Sequence, residues 1–389
     1  MVHVRRALEM DLPPRQSAFL WGARKVGKST WLRETFPDSL VYDFLRTDVL
    51  LDFTRRPALL REQLLAQPPE RLAHPVLLDE VQKVPALLDE VHWLIENRGL
   101  RFVLCGSSAR KLRRGGANLL GGRAWRYEMH PMVTPELQQL GPLDLVRILS
   151  RGTIPDHYVQ EQYRRSLDAY VRDYLKEEVF DEGLTRNVPA FARFFDAIGF
   201  CHRELTNFAN IARDVGVDAK TVKAYYQILV DTLLGRFVEP FWRRTGRQVI
   251  THAAKFYLFD VGVAGAVTRR PVTEARGDAF GRAFEHFILT ELAAHASYSG
   301  LNHPIRFWRT KSGLEVDFVL GEGDVAVEVK GTNRVDRREL RGILAFREEH
   351  GPREAFVVCD EPAERSVEGI RVIPWREFLG RLWAGEVMR

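Results

Sequence analysis

A short loop bounded by two glycines and closed by a lysine and a serine constrains this chain more than any other feature. The loop, Gly22-Ala-Arg-Lys-Val-Gly27-Lys28-Ser29, follows the apolar run Ser17–Trp21, and a helical pattern begins at Lys28. Glycines let successive backbone N–H groups wrap around phosphate oxygens, and the dipole of a helix N-terminus attracts anions. A strand, a glycine-rich loop and a helix in this order predict a parallel α/β domain that binds a nucleotide.

This P-loop gives each of its polar residues an expected role. Lys28 would reach the β- and γ-phosphates, and the hydroxyl of Ser29 would join a magnesium ion. The predicted cofactors are therefore ATP and Mg²⁺, with hydrolysis as the expected reaction. The predicted nucleotide-binding residues are Gly22, Ala23, Arg24, Lys25, Val26, Gly27, Lys28, Ser29, Thr30 and Asp79.

Two acids follow an apolar strand about fifty residues further on, in the run Pro75-Val-Leu-Leu-Asp79-Glu80. This is the arrangement of a Walker B motif, in which Asp79 would hold Mg²⁺ and Glu80 would orient or deprotonate the attacking water. The alternative for the pair is a solvated strand end. The P-loop upstream favours the catalytic interpretation.

Two further candidates lie downstream. The strand Phe102–Cys105 ends in Gly106-Ser107-Ser108, where the hydroxyl of Ser108 or Ser107 would sense the γ-phosphate or simply form a turn. Arg123 is a candidate arginine finger, acting in its own subunit or in a neighbour's. It is equally consistent with one more surface cation in an arginine-rich stretch.

Composition and pattern suggest three domains in a chain of 389 residues. We expect an ATPase domain at residues 1–140, a helical winged-helix domain at 141–270, and an α/β domain at 271–389. No apolar run approaches the roughly 20 residues that cross a bilayer, so no membrane partner is expected. The N-terminus does not resemble a signal peptide, and three scattered cysteines favour a cytoplasmic protein.

The run Leu78-Asp-Glu-Val-Gln-Lys-Val-Pro85, taken with the P-loop and Gly121-Gly-Arg123, resembles the prokaryotic AAA-type P-loop ATPases. More narrowly, it resembles the branch that carries a C-terminal domain of unknown function. The resemblance implies a homo-oligomer, with a hexamer as one form, and in such an oligomer Arg123 could act across subunits.

The middle segment has helix-turn-helix character between Leu205 and Leu234, with Gly216 in the turn. Strand-like pieces at 236–242 and 247–250 predict a basic β-wing. Winged helices also bind proteins, so a DNA partner is one of two interpretations. The predicted DNA-contacting residues are Lys220, Thr221, Lys223, Arg243, Arg244 and Arg247.

Near the C-terminus, two strands around a short turn bring acids together. The hairpin register predicts that Asp317 lies opposite Glu328, with Lys330 on the same face as Glu328. Facing carboxylates repel each other, so we expect a positive charge between them, and a second divalent metal is the natural candidate. Glu285, on an upstream helix, would add a third carboxylate.

The set Glu285, Asp317, Glu328 and Lys330 resembles the PD-(D/E)xK nuclease fold, with Val316 in place of the usual proline. The resemblance implies that Asp317 and Glu328 hold Mg²⁺ with help from Glu285. It also implies that Lys330 steadies the attacking water or the scissile phosphate during DNA cleavage. The alternatives are a fold that has lost activity and an exposed hairpin with ordinary charges. A neighbouring strand offers side chains that could contact a strand of DNA: Trp308, Arg306, Arg309 and Lys311.

Two functions compete for the whole chain. The first is an oligomeric ATP-driven motor that processes DNA, branched DNA included. The second is a nucleotide-dependent signalling or defence switch whose C-terminal domains bind protein. A net charge of +5 is compatible with either function.

Overall fold

The computed structural model describes residues 3–108, 120–174, 188–242 and 253–388. They form two compact units, each described separately below. One, the P-loop unit, comprises Leu8–Pro131 and Ile228–Leu234. The other, the larger unit, comprises Met1–Ala7, Met132–Gln227 and Gly235–Arg389.

The P-loop unit is built on a parallel sheet of five strands in the order β2-β3-β4-β1-β5. Its central strands are apolar and fully buried, as expected for a parallel sheet covered on both faces. The strands are β1 (Ser17–Trp21), β2 (Val41–Asp43), β3 (Val76–Asp79), β4 (Phe102–Gly106) and β5 (Ala124–Glu128). The helices are α1 (Lys28–Thr35), α2 (Thr47–Arg55), α3 (Leu59–Leu65) and α4 (Leu87–Arg98), with 3₁₀ turns at Pro69–Leu72 and Val81–Lys83.

The larger unit contains a mixed sheet of eight strands in the order β12-β13-β11-β10-β9-β8-β6-β7. These strands are β6 (Gly235–Pro240), β7 (Lys255–Leu258), β8 (Ile305–Arg309), β9 (Glu315–Leu320), β10 (Val325–Val329), β11 (Glu354–Cys359), β12 (Arg365–Val367) and β13 (Ile370–Pro374). Strand β6 lies on one side of residue 270 in sequence and β8 on the other, and the two pair in parallel. A division of the chain at residue 270 therefore runs through this sheet, and the three-domain division remains a prediction.

Helices precede and cover this sheet. The first group is α5 (Thr134–Leu137), α6 (Leu145–Arg151), α7 (Pro155–Val159), α8 (Tyr163–Ala169), α9 (Val188–Cys201), α10 (Phe208–Val215) and α11 (Ala219–Asp231). The second is α12 (Val261–Thr268), α13 (Gly277–Tyr298), α14 (Arg341–His350) and α15 (Trp375–Trp383), with 3₁₀ turns at Gln138–Leu140 and Arg337–Leu340. Phe284 of α13 and Trp375 of α15 share one core with Val327 of β10, whereas Phe346 of α14 shares a second core with Ala326. Successive side chains of β10 therefore enter different cores, because helices bury the sheet on both faces.

Helices α10 and α11 form the helix pair that the glycine turn predicts. Helix α10 ends at Gly216, which has a φ of 73°. Asp218 caps the next helix by accepting a hydrogen bond from the backbone N–H of Thr221 (2.8 Å). The antiparallel partner of β6 is β7, which begins at Lys255. The segment 247–250, predicted to form the second strand of a wing, lies outside the described residues.

Among helices in the described parts of the chain, none is long and apolar enough to cross a membrane.

Candidate nucleotide site and acid cluster

The P-loop connects β1 to α1, and both of its glycines are required by the local geometry. A Cβ atom on Gly22 would lie 2.6 Å from the carbonyl oxygen of Met129. Gly27, the residue before α1, has a φ of 98°, a conformation that side chains other than glycine rarely adopt. The loop can therefore bring its backbone close to a ligand at the N-terminus of α1.

Lys28 lies in the first turn of α1 and is 5% exposed. Its ammonium group donates hydrogen bonds to the carbonyl oxygens of Gly22 (2.7 Å) and Ala23 (3.0 Å). Both acceptors belong to the loop itself, so the ammonium group lies inside the curve of the loop. A phosphate group that enters this loop meets a cation already in place.

Asp79 lies at the carboxyl end of β3, paired with Cys105 of the adjacent β4. Because β1, β3 and β4 are parallel neighbours in the sheet, their carboxyl ends share one edge with the P-loop. Asp79 is buried, and its Oδ1 atom has no hydrogen-bond partner among the described residues. A buried carboxylate oxygen without a donor is costly unless an ion or water binds it. The atom therefore fits the predicted contact with a magnesium ion.

Glu80 is held in an unusual backbone conformation, with a φ of 59° and a side chain that is 6% exposed. Left-handed backbone at a residue with a Cβ atom is strained, and such strain concentrates at functional sites. The Nε2 atom of Gln82 donates to the Oε2 atom of Glu80 (2.6 Å) and to the hydroxyl of Ser107 (3.2 Å). Gln82 therefore links the predicted catalytic acid to one of the two candidate sensor residues.

Gln82 was not among the residues assigned a role from the sequence. The signal was nevertheless present, because Gln82 belongs to the run Asp-Glu-Val-Gln-Lys that carried the family resemblance. A Cβ atom on Gly106 would lie 2.2 Å from the Oε1 atom of Gln82. The lack of a Cβ atom at Gly106, at the end of β4, therefore leaves room for the side-chain amide of Gln82.

The other two candidates in this unit make contacts of their own. The hydroxyl of Ser108 donates to the carbonyl oxygen of Asp231 (3.2 Å), which lies in the stretch Ile228–Leu234 of the same unit. Arg123 forms an ion pair with Glu96 of α4, and its side chain is 36% exposed. A contact of Arg123 with a nucleotide in a neighbouring subunit stays a prediction.

The acid cluster of the larger unit has the predicted hairpin register. Val327 of β10 lies opposite Phe318 of β9, which makes Asp317 and Glu328 the next pair. The backbone N–H of Asp317 donates to the Oε2 atom of Glu328 (3.3 Å). The backbone N–H of Val329 donates to the Oδ2 atom of Asp317 (2.8 Å). The two carboxylates therefore lie side by side, as predicted.

Glu285 on α13 joins these two acids, but it already has partners. Its Oε2 atom is 2.5 Å from the Nε atom of Arg203, and its Oε1 atom accepts a hydrogen bond from the hydroxyl of Tyr257 (2.6 Å). Burial, followed by the charge of Asp317, raises the pKa of Glu285 to about 7, although Lys255 and Arg203 act in the opposite direction. Neither Arg203 nor Tyr257 was predicted, because both are far from the acids in sequence.

Lys330 and Lys255 supply further positive charge. Lys330 donates to the Oε1 atom of Glu328 (2.6 Å), and Lys255 forms an ion pair with Glu315. Burial and the charge of Asp317 raise the pKa of Glu328 to about 8. The expected positive charge is thus present as protein cations. The described residues contain no group of three or more His, Cys, Asp or Glu residues arranged to hold a metal ion.

The residues predicted to contact DNA differ in their placement. Lys220 and Lys223 are exposed on α11, whereas the hydroxyl of Thr221 donates to the carboxylate of Asp218 (2.7 Å). The expectation for Trp308 was wrong, because its side chain is fully buried and packs against Phe346. Three predicted residues lie outside the described part of the chain: Arg243, Arg244 and Arg247.

Three family models match successive segments of the chain. Residues 14–138 match the model of the AAA domain. Residues 143–274 and 280–378 match two models described as domains of unknown function, DUF8612 and DUF4143. With the five-stranded parallel sheet, the first match indicates a P-loop domain of the ATPase type at the N-terminal end of the chain. The other two matches do not indicate a function.

Two similar proteins are known from mycobacteria. The chain is 24% identical over 336 residues to an uncharacterized protein of Mycobacterium bovis, a match that covers 84% of this chain and 73% of that protein. An uncharacterized protein of Mycobacterium tuberculosis gives the same identity and the same coverage. The similarity extends over most of the chain.

Proposed function

We propose that the protein hydrolyses ATP with Mg²⁺ at the edge of the five-stranded sheet. The observation that carries the proposal is the Asp79 carboxylate, which is buried at the carboxyl end of β3 with its Oδ1 atom unpartnered among the described residues. It lies at the sheet edge where the P-loop begins. Mg²⁺ would be held by the hydroxyl of Ser29 and the carboxylate of Asp79, and it would neutralise phosphate charge.

The protein's own groups divide the remaining work. Backbone N–H groups of the loop and the ammonium group of Lys28 bind and orient the phosphates. The carboxylate of Glu80, fixed by Gln82, accepts a hydrogen bond from the attacking water and aligns it with the terminal phosphate. Either Ser107, which shares the amide of Gln82, or Ser108 would contact that phosphate.

The proposal is tested by separating nucleotide binding from turnover. Lys28→Ala should weaken ATP binding and abolish phosphate release, because the cation inside the loop is lost. Glu80→Gln keeps the shape of the site and should retain ATP binding while turnover falls by a factor on the order of 10² or more. Lys83→Ala, an exposed cation in the same stretch, is the control. If ATP turnover survives in both variants, the proposed site does not catalyse the hydrolysis.

We further propose that DNA is the partner that stimulates this turnover. The support is the exposed face of α11, where Lys220 and Lys223 lie on the second helix of a helix-turn-helix pair. ATP hydrolysis should rise with duplex, forked or junction DNA, and Lys220→Glu with Lys223→Glu should remove the increase. Arg334→Glu with Arg338→Glu is the charge-matched control. No increase with any DNA would favour the protein-binding switch instead.

An oligomer with Arg123 acting between subunits belongs to the same proposal. The support is the exposure of Arg123 on the surface of the P-loop unit, where Glu96 holds it. A mixture of Lys28→Ala and Arg123→Ala chains decides the point. Each variant alone should be inactive, and the mixture should recover turnover because one chain supplies the loop and the other the arginine. No recovery would contradict the proposal of action across subunits.

Metal-dependent DNA cleavage is not part of the proposed function. The acids that predicted it, Glu285, Asp317 and Glu328, are brought together, but they are paired with protein donors.

A further inference from the structure

The carboxylate oxygens of the acid cluster are almost all committed to protein donors. Glu285 accepts a hydrogen bond from Tyr257 at Oε1 and forms an ion pair with Arg203 at Oε2. Glu328 accepts from Lys330 at Oε1 and from a backbone N–H at Oε2. Asp317 accepts from the backbone N–H of Val329 at Oδ2. Five of the six oxygens therefore already have a partner, which leaves few lone pairs for a metal.

The cluster also holds as many basic side chains as acidic ones. Arg203 pairs with Glu285 and Lys330 pairs with Glu328. Lys255 and Arg309 both pair with Glu315, the first residue of β9. With Asp317, four acidic side chains lie among four basic ones: Glu285, Glu315, Asp317 and Glu328 among Arg203, Lys255, Arg309 and Lys330. Because the pKa of Glu285 is raised to about 7 and that of Glu328 to about 8, the acids carry no more charge than the cations. A divalent cation added to this set would leave uncompensated positive charge in a buried place.

Two of the cations, Arg203 and Lys255, reach the acids from a different part of the chain. Arg203 follows the end of α9, and Lys255 and Tyr257 lie on β7, whereas the acids lie on α13, β9 and β10. Lys255 is 4% exposed and its ammonium group lies 5.1 Å from the centre of the Phe307 ring. Burial opposes the charge of Arg203 and Lys255, yet the surrounding carboxylates, Glu285 first, raise the pKa of both. The cations therefore remain charged.

We propose that this cluster is a metal-free clasp in which Arg203 takes the part of a divalent cation and joins the chain after α9 to α13, as Lys255 joins β7 to β9. The guanidinium forms an ion pair with Glu285, and the charge of Asp317 also helps to keep the pKa of Arg203 raised, so Arg203 supplies positive charge beside the acids that a metal would need. The side chains that resemble a nuclease site thus hold two parts of the larger unit together. The inference is independent of ATP hydrolysis, which takes place in the other unit.

The test measures Mn²⁺ binding to nucleotide-free protein by electron paramagnetic resonance. All variants carry Asp79→Asn, so that the nucleotide site does not contribute. The parent should bind no Mn²⁺ at millimolar concentration. Arg203→Met should gain a Mn²⁺ site that binds at least about tenfold more tightly than any residual binding by the parent, because Glu285 loses its cation. Adding Glu285→Gln to Arg203→Met should abolish the gain.

Two results would overturn the proposal. One is Mn²⁺ binding by the parent that Asp317→Asn removes. The other is an Arg203→Met chain that is folded by circular dichroism and still binds no Mn²⁺. Should Arg203→Met fail to fold, thermal melting of the parent with and without Mn²⁺ decides the matter. An unchanged midpoint supports the clasp, and a rise that Asp317→Asn abolishes contradicts it.

Discussion

This protein contains two sets of buried acids, and their carboxylate oxygens are satisfied in opposite ways. In the P-loop unit, Asp79 keeps a buried oxygen without a partner in the described structure, next to a loop built for phosphates. In the larger unit, Glu285 and Glu328 are each paired with a cation. A buried carboxylate that binds a ligand lacks protein hydrogen-bond donors in the ligand-free protein, which costs stability. A buried carboxylate with a structural role has its partners within the protein. Carboxylates at compatible positions therefore do not by themselves identify a metal site.

The largest expected effect on stability comes from breaking the clasp. Arg203→Met leaves Glu285 buried without its cation, which should lower the free energy of unfolding by about 4 kcal/mol. Chemical denaturation measures the change. The matched control is Arg276→Met, which removes an ion pair to Glu274 whose arginine is 82% exposed, and it should cost less than about 1 kcal/mol. Equal losses in the two variants would mean that the cluster is no more than surface charge.

A third buried carboxylate, that of Glu291, extends the comparison between the two acid sites because its hydrogen-bond donors are neutral. Glu291 accepts hydrogen bonds from the backbone N–H of Thr134 (2.8 Å) and from the indole of Trp383 (2.6 Å). Burial raises its pKa from 4.5 to about 7, although these donors act in the opposite direction. The folded protein therefore holds a proton that the unfolded chain releases above pH 4.5.

The stabilising contribution of that proton is complete below pH 4.5 and is lost as pH rises through about 7. The loss amounts to at most about 3 kcal/mol. Unfolding free energies measured across this range should fall with pH in the parent and fall less in Glu291→Gln. Glu322→Gln, at a side chain that is 77% exposed, should leave the slope unchanged. A slope that is the same in all three proteins would contradict the assignment.

The smallest effect is expected at Gln82, which positions Glu80. Gln82→Ala removes the amide between Glu80 and Ser107, so turnover should fall by about tenfold, or roughly 1.4 kcal/mol, with little change in ATP affinity. Phosphate release and nucleotide titration measure the two effects separately. Asn97→Ala removes an exposed side-chain amide in the same unit and should change neither quantity. A loss of ATP affinity equal to the loss of turnover would indicate a structural role for Gln82.

Local signals predicted much of this molecule. The glycines at 22 and 27 and the apolar strands predicted the P-loop and its parallel sheet. This was possible because the backbone conformation of a phosphate-binding loop depends on residues that are adjacent in sequence. The alternation around the turn at 321–324 predicted that Asp317 faces Glu328, because hairpin register depends on nearby sequence.

Long-range partners were not predictable from those patterns. Arg203 meets Glu285 across 82 positions of sequence, and no periodicity relates the two. Trp308 shows the same limit, because strand alternation identifies the face a side chain occupies but not whether a helix covers that face. In the structure, α14 covers it through Phe346.

The contrast between the two acid sites is tested most directly by counting Mn²⁺ ions on the ATP-loaded protein by electron paramagnetic resonance. The parent, Asp79→Asn and Asp317→Asn are compared at equal nucleotide occupancy. We predict that Mn²⁺ binds to the parent only together with ATP, that Asp79→Asn weakens this binding, and that Asp317→Asn leaves it unchanged. A loss of bound Mn²⁺ in Asp317→Asn, with Asp79→Asn retaining it, would contradict the account.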